Sequence, residues 1–285
     1  GGGISTGGLQ LVDIEHNLVA NNGTVCDIHM CNGGAAAVAL DVQSSGIGQQ
    51  YPALAYNPDQ DEYLLTWSDT ANAMYSIKAQ RLATDGQRLG NEIRLGSGAR
   101  SAIAYNTANH EYLAIWSDMM TEAGAMQRLT RDGAPIGAAI GITMYMSSNV
   151  RVIYQPADNS YLVAWEKYGC EAGCYRRILA RHVAADGTWL SDVLTIGADF
   201  DQSDKTLGAI AYDPLNQRAL IAFSTNYQRN RVFGGWVIGN SGAFSPTVLS
   251  EDSVWGVRNI GFVFGGNPNK YFAVWDSDSG AMMQS

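Results

Sequence analysis

Short apolar runs alternate with clusters of turn formers along most of the chain, and no stretch carries the three-to-four-residue apolar spacing of an amphipathic helix. Residues 51–98 show the unit. Pro52 to Tyr56 is apolar, Asn57 to Asp61 is rich in turn formers, and Glu62 to Trp67 alternates and ends on an aromatic, which predicts an antiparallel hairpin. A third run, Ser76 to Leu82, sets Ile77, Ala79 and Arg81 against Lys78, Gln80 and Leu82. Asp85-Gly86 then supplies the positive φ angles of a tight turn, and Asn91 to Leu95 gives a fourth run. The pattern therefore predicts four strands joined by short turns.

This unit recurs. Ala-Tyr-Asn-Pro-Asp-Gln-Asp-Glu-Tyr-Leu-Leu-Thr-Trp-Ser-Asp at 55–69 returns as Ala-Tyr-Asn-Thr-Ala-Asn-His-Glu-Tyr-Leu-Ala-Ile-Trp-Ser-Asp at 104–118, with weaker copies around 154–165, 212–223 and 264–275. The closing aromatics Trp67, Trp116, Trp165, Phe223 and Trp275 are separated by 49, 49, 58 and 52 residues. The turn signal repeats at Asp132-Gly133, Asp186-Gly187 and, more loosely, Asn240-Ser241-Gly242. Fourth runs follow at Ala138 to Thr143, Asp192 to Ile196 and Pro246 to Leu249. All-β units at this period are the mark of a β-propeller, one repeat to a blade.

Four repeats are complete, at 51–98, 99–144, 145–200 and 201–252, and a fifth, 253–285, ends within its third strand. An unfinished blade leaves an open edge of backbone groups. Residues 1–50 lack the repeat but contain strand-like runs at Leu9 to Ile14, Val25 to Met30 and Ala35 to Val42. The economical expectation is five blades, with this segment completing the last. A sixth, degenerate blade is the alternative. A third arrangement pairs Leu9 to Ile14 with a neighbouring molecule, so that strand exchange builds a filament or surface layer.

The phrase, followed by Ile-x-Ala-Gln-Arg-Leu and Asp-Gly-x-x-Leu-Gly, resembles repeats of secreted bacterial and archaeal propeller proteins. The match is strongest over the first two repeats and decays afterwards. The resemblance implies the fold and export, and carries no catalytic residues with it.

Composition narrows the roles. The net charge is −9 and the pI about 4.8, without the basic footprint of a nucleic-acid partner. No apolar run reaches the ~20 residues of a membrane helix. The four cysteines fall in two close pairs, Cys26 with Cys31 and Cys170 with Cys174. Local pairing of this kind suits small-loop disulfides in an exported protein, and a secreted or cell-surface location is expected. Asn22-Gly23-Thr24 matches a glycosylation sequon.

The candidate chemistry is sparse. An acidic residue follows four of the closing aromatics, at Asp69, Asp118, Glu166 and Asp276, and Ser224-Thr225 breaks the series. Rotation would set these carboxylates in a ring able to bind a cation or hydroxyl-rich ligand. The simpler account is that they bond nearby backbone. Paired acids could also hydrolyse glycosides, but the innermost strands carry almost no acid. Asp199, Asp201 and Asp204 form an acidic loop of calcium-ligand type that lacks the glycine and closing glutamate of an EF-hand. No cofactor beyond possible calcium is expected.

His16, His29, His110 and His182 show no ligand spacing, and no nucleophile motif occurs. Trp189, Trp236 and Trp255, with Tyr168, Tyr175 and Tyr227, lie outside the repeated phrase. Aromatics there can stack on sugars or anchor a protein partner. The expected role is a non-enzymatic module that binds glycan or protein, or a surface scaffold. A self-assembling subunit and a glycoside hydrolase are the alternatives.

Overall fold

A computed structural model describes residues 18–21, 24–27, 49–69, 75–118, 123–143, 149–169, 174–197, 203–225, 231–238, 243–249, 258–264, 271–277 and 280–284. A hairpin of β1 (Leu18–Asn21) and β2 (Thr24–Asp27) comes first, with Asn21 opposite Thr24 across an Asn-Gly dipeptide. Four antiparallel sheets of four strands follow. They are β3 (Gln49–Asn57) to β4 (Glu62–Asp69), β5 (Ser76–Ala83) and β6 (Arg88–Ser97); β7 (Arg100–Asn106), β8 (Glu111–Ser117), β9 (Ala123–Thr130) and β10 (Pro135–Thr143); β11 (Val150–Gln155), β12 (Ser160–Gly169), β13 (Tyr175–Ala184) and β14 (Leu194–Ile196); and β15 (Lys205–Asp213), β16 (Arg218–Thr225), β17 (Arg231–Ile238) and β18 (Ala243–Val248). A last sheet holds β19 (Arg258–Phe264), β20 (Tyr271–Ser277) and β21 (Gly280–Gln284).

Each sheet is ordered by sequence. First strands contact first strands of the next sheet, β3 to β7, β7 to β11, β11 to β15 and β15 to β19. They are therefore the innermost strands of radial blades, and the architecture is a β-propeller. The second strands depart from the expected alternation. β8 is buried at every residue and β4 at all but its first, because blades cover both faces of a sheet and leave no solvent side.

The core lies between blades. Ala55 and Leu64 of the first blade pack with Ile103, Tyr105, Tyr112 and Trp116 of the second. Leu113 and Met126 of the second meet Val152, Tyr161 and Trp165 of the third, and Leu162 and Ile178 of the third meet Leu207, Ile221 and Phe223 of the fourth. Ala222 and Val232 meet Ile260 and Trp275 of the fifth. On the other face of the first blade, Tyr63, Leu65 and Trp67 are no more than 2% exposed. Both faces of that blade are thus covered.

The repeated phrase is explained by contacts within and between blades. Its Glu and Arg form forked ion pairs, Arg81 to Glu62 at 2.8 and 2.9 Å and Arg128 to Glu111 at 3.1 and 2.8 Å. Its Gln donates from Nε2 to backbone carbonyls of the fourth strand, Gln80 to Leu89 and Gln127 to Ile136, beside the positive-φ glycines Gly90 and Gly137. In the third blade Arg181 takes the Gln position and donates instead to the Ser191 carbonyl at 2.6 Å.

β1 borders β3, while β21 pairs only with β20 among the described residues. Leu9 to Ile14 and Ala35 to Val42 lie outside the described residues, and of Val25 to Met30 only the start lies within β2. The described residues include no helix long and apolar enough to cross a membrane.

A Cβ placed on Gly208 of β15 would collide with Ile260 of β19 at the fourth blade's contact with the fifth. Gly208→Ala should cost about 1–3 kcal/mol in urea unfolding. Gly141→Ala, on open space at the rim, should stay within about 0.5 kcal/mol of the parent.

Candidate functional site

The first strands of all blades run the same way about the axis, so their starts, and the ends of the antiparallel second strands, share one end of the ring. This is the loop face. The hairpin turns between first and second strands lie at the other end, the turn face.

The turn face is built for cohesion. Asn57, Asn106 and Asp213 each accept backbone N–H bonds from residues two or three further on, the turn chemistry expected of Asn and Asp. Asp61, His110, Asn159 and Gln217 occupy the same turn position with φ of 50–55°. Links cross between blades: Gln60 donates to Asp132, Asn106 to Asn159, and Tyr105 and His110 both reach Asp59. Burial, and then the Asp59 bond, raise the Tyr105 hydroxyl above its usual range. The bonds from Tyr105 and His110 hold Asp59 below its usual range.

The four carboxylates of the series belong to the loop face, but the described ones do not form an open ring. Asp69 is buried and paired to Lys78 at 2.5 Å, which also contacts Glu92 at 2.7 Å. Burial pulls Lys78 down, yet the two carboxylates outweigh it and hold the ammonium above its ordinary value. Glu166 is 2% exposed, and its Oε1 accepts the Leu207 N–H of the next blade at 2.7 Å. Asp118 is half-buried, its backbone N–H donating to the Ala123 carbonyl. Asp276 lies on β20 opposite Arg258 and Ala281.

The described members of the remaining predicted set fall on different elements. Trp189 packs on the core at the rim, with Arg181 stacked 4.4 Å above its ring. Trp236 lies on β17 opposite Leu220, and Trp255 and Tyr227 are outside the described residues. Tyr168 is exposed, whereas Tyr175 is buried beside Arg177 and Lys205. Asp204 accepts the Arg176 backbone N–H at 2.8 Å. Asp199 and Asp201 lie outside the described residues, as do Cys31 and Cys170; Cys26 is on β2, and Cys174 is disulfide-bonded. No group of three potential metal ligands occurs among the described residues.

A different cluster occupies the axial mouth of the loop face. Arg100 begins β7, Arg151 lies near the start of β11, and Tyr51 lies near the start of β3. The Arg100 guanidinium stacks 4.1 Å from the Tyr51 ring, and its Nη2 donates to the Tyr51 hydroxyl at 3.3 Å. Tyr51 sits at a β-bulge with φ of 55°, the one left-handed non-glycine residue outside the hairpin turns among those described. Arg151 donates from Nε to the Gly208 carbonyl at 2.9 Å, and from Nη1 to Asn149 at 2.5 Å and the Val150 carbonyl at 2.9 Å.

Burial pulls the Arg151 guanidinium below its usual range; nearby Glu166 opposes this and nearby Arg100 adds to it. The residue is half-buried. Arg151 stands in register where the other inner strands carry Ala53, Ala102, Ala209 and Gly261. That departure from the repeat was its signal in the sequence.

The chain is thus a β-propeller of four-stranded antiparallel blades with a cationic and aromatic axial mouth. No family model and no curated protein matches it. Among solved structures it is similar to the hydrazine synthase of Kuenenia stuttgartiensis, with a TM-score of 0.56 and 15% identity over 90% of this chain and 67% of that one. It is also similar to an α-L-arabinofuranosidase of Fusarium graminearum, with a TM-score of 0.52 and 10% identity over 80% and 74%. An ACO/RPE65 chimera gives 0.53 and 10% over 91% and 64%. At these identities the likeness establishes the fold alone.

Because its folded pKa is lowered, Asp59 stabilises the turn face above its unfolded value of 3.8, and that contribution is lost as pH falls through the folded value. Thermal unfolding between pH 5 and 3 should therefore show a smaller loss of Tm in Asp59→Asn than in the parent protein.

Proposed function

We propose that the protein is a secreted or cell-surface, non-enzymatic binding module whose ligand, a glycan in this reading, seats at the axial mouth of the loop face. One observation carries this. Of the four recurring acids, Asp69 and Glu166 are buried and tied to Lys78 and to the Leu207 N–H, whereas the mouth presents Tyr51 and guanidinium groups. Glycoside hydrolysis needs a protonated acid and a second carboxylate flanking one bond. Carboxylates spent on holding blades together are poorly placed for that work. An aromatic face beside polar donors suits saccharide binding without bond cleavage.

Affinity electrophoresis through polysaccharide gels, run beside a reducing-end assay, tests the reading. Retardation without release of new reducing ends is expected. Turnover abolished by Asp118→Asn with Glu166→Gln would overturn it.

Self-assembly by strand exchange is favoured by one feature, the outer side of β21, which has no partner strand among the described residues. Light scattering across a concentration series separates the two readings. Concentration-independent monomers would end the assembly reading.

A further inference from the structure

The mouth holds more positive charge than the fold uses. Among the described residues Arg100 makes no salt bridge, its buried Nε has no hydrogen-bond partner, and its one side-chain hydrogen bond is the long one to Tyr51. Arg151 commits Nε and Nη1 to the protein and leaves Nη2 without a bond. Among the described residues the carboxylate acting on Arg151 is Glu166, whose Oε1 is already shared between the Leu207 N–H and Asn149. Two guanidinium groups on adjacent inner strands, each acting on the other's charge and one pulled down by burial, are costly with unspent donors unless an anion joins them. This occurs in a chain whose net charge is −9, so general basicity does not explain it.

The arrangement is also held in place. Arg151 is fixed by three bonds to the third and fourth blades, so its remaining nitrogen has a defined direction. Tyr51 is kept in a left-handed backbone conformation that an aromatic residue adopts at a cost of roughly 1–3 kcal/mol, and it is 37% exposed. One side of the ring receives Arg100. The exposed remainder offers an apolar face next to the cations.

Resting on the binding-module reading, we infer that Arg100 and Arg151 form a carboxylate subsite and that the ligand is an acidic saccharide. The sugar's carboxylate takes the Nη groups of the two arginines, and its ring lies against Tyr51. The planar fork of guanidinium suits a carboxylate better than it suits neutral hydroxyls. The aromatic face beside it favours a sugar ring over an extended acidic peptide.

Isothermal titration of the whole chain with a galacturonate trimer, a neutral galactose trimer, acetate and oligoglutamate tests this. The galacturonate trimer should bind most tightly, with acetate weak but measurable. Arg100→Gln should reduce uronate affinity by about tenfold or more without lowering Tm, since Arg100 bonds only to Tyr51. Tyr51→Gly should weaken the trimer but not acetate, with Tm unchanged or raised as the backbone strain is relieved. Arg151→Gln serves as a further variant only if it retains the parent Tm. Equal affinity for the neutral trimer, or uronate binding unchanged in Arg100→Gln, overturns the subsite while leaving the binding module standing. Tighter binding of oligoglutamate overturns the saccharide assignment. Cleavage of the trimer overturns the binding-module reading itself.

Discussion

Everything in this molecule depends on the burial of one blade's face against the next. A single four-stranded sheet of this size has two apolar faces and nothing of its own to cover them. The phrase Tyr-Leu-x-x-Trp loads the second strand on both faces, so that Leu64 and Tyr63, adjacent in sequence, enter different interfaces. Stability is therefore shared among neighbours, and a blade is stable only as a member of the series. The inner strands approach closely enough that Gly208 leaves no room for a Cβ beside Ile260.

Polar residues of the repeat serve the same end. The Glu62–Arg81 and Glu111–Arg128 forks brace second strand to third, and the Gln80 and Gln127 amides hold the bulged fourth strand. Asx turns and tyrosine hydroxyls stitch hairpin to hairpin on the turn face. Glu166 belongs in this group, because it caps a backbone N–H that the inner strand of the next blade leaves open. Recurrence marks the residues that build the ring.

Individuality marks the other end. Ala53, Ala102 and Ala209 suit a crowded axis, and Arg151 in the same register does not. It is accommodated because the Gly208 carbonyl and Asn149 accept its protons. Arg100 and the left-handed Tyr51 join it from the two preceding inner strands. Rotational symmetry of the scaffold sets three residues that are 49 and 51 positions apart in sequence on successive inner strands, and the departures from symmetry give them their chemistry.

The sequence by itself determined the blade. Alternation, Asp-Gly turns and the return of a closing aromatic are local signals, each set by backbone sterics within a few residues, and the strands of the repeats fall where they place them. It also marked Glu62 and Arg81 as fixed members of the phrase, but their contact depends on register across 19 residues. The hairpin β1–β2 lies outside the repeat, and no recurring phrase marks its strands. Only the tertiary structure decided which polar residues are consumed and which are presented. Asp69, Asp118, Glu166 and Asp276 look alike along the chain, yet Asp69 and Glu166 are buried by neighbouring strands. Arg100 and Arg151 look incidental, yet they lie on adjacent inner strands, where the charge of Arg100 acts on Arg151. The physical reason is that burial and charge pairing depend on which blades lie side by side, and that is a property of the propeller rather than of any one repeat.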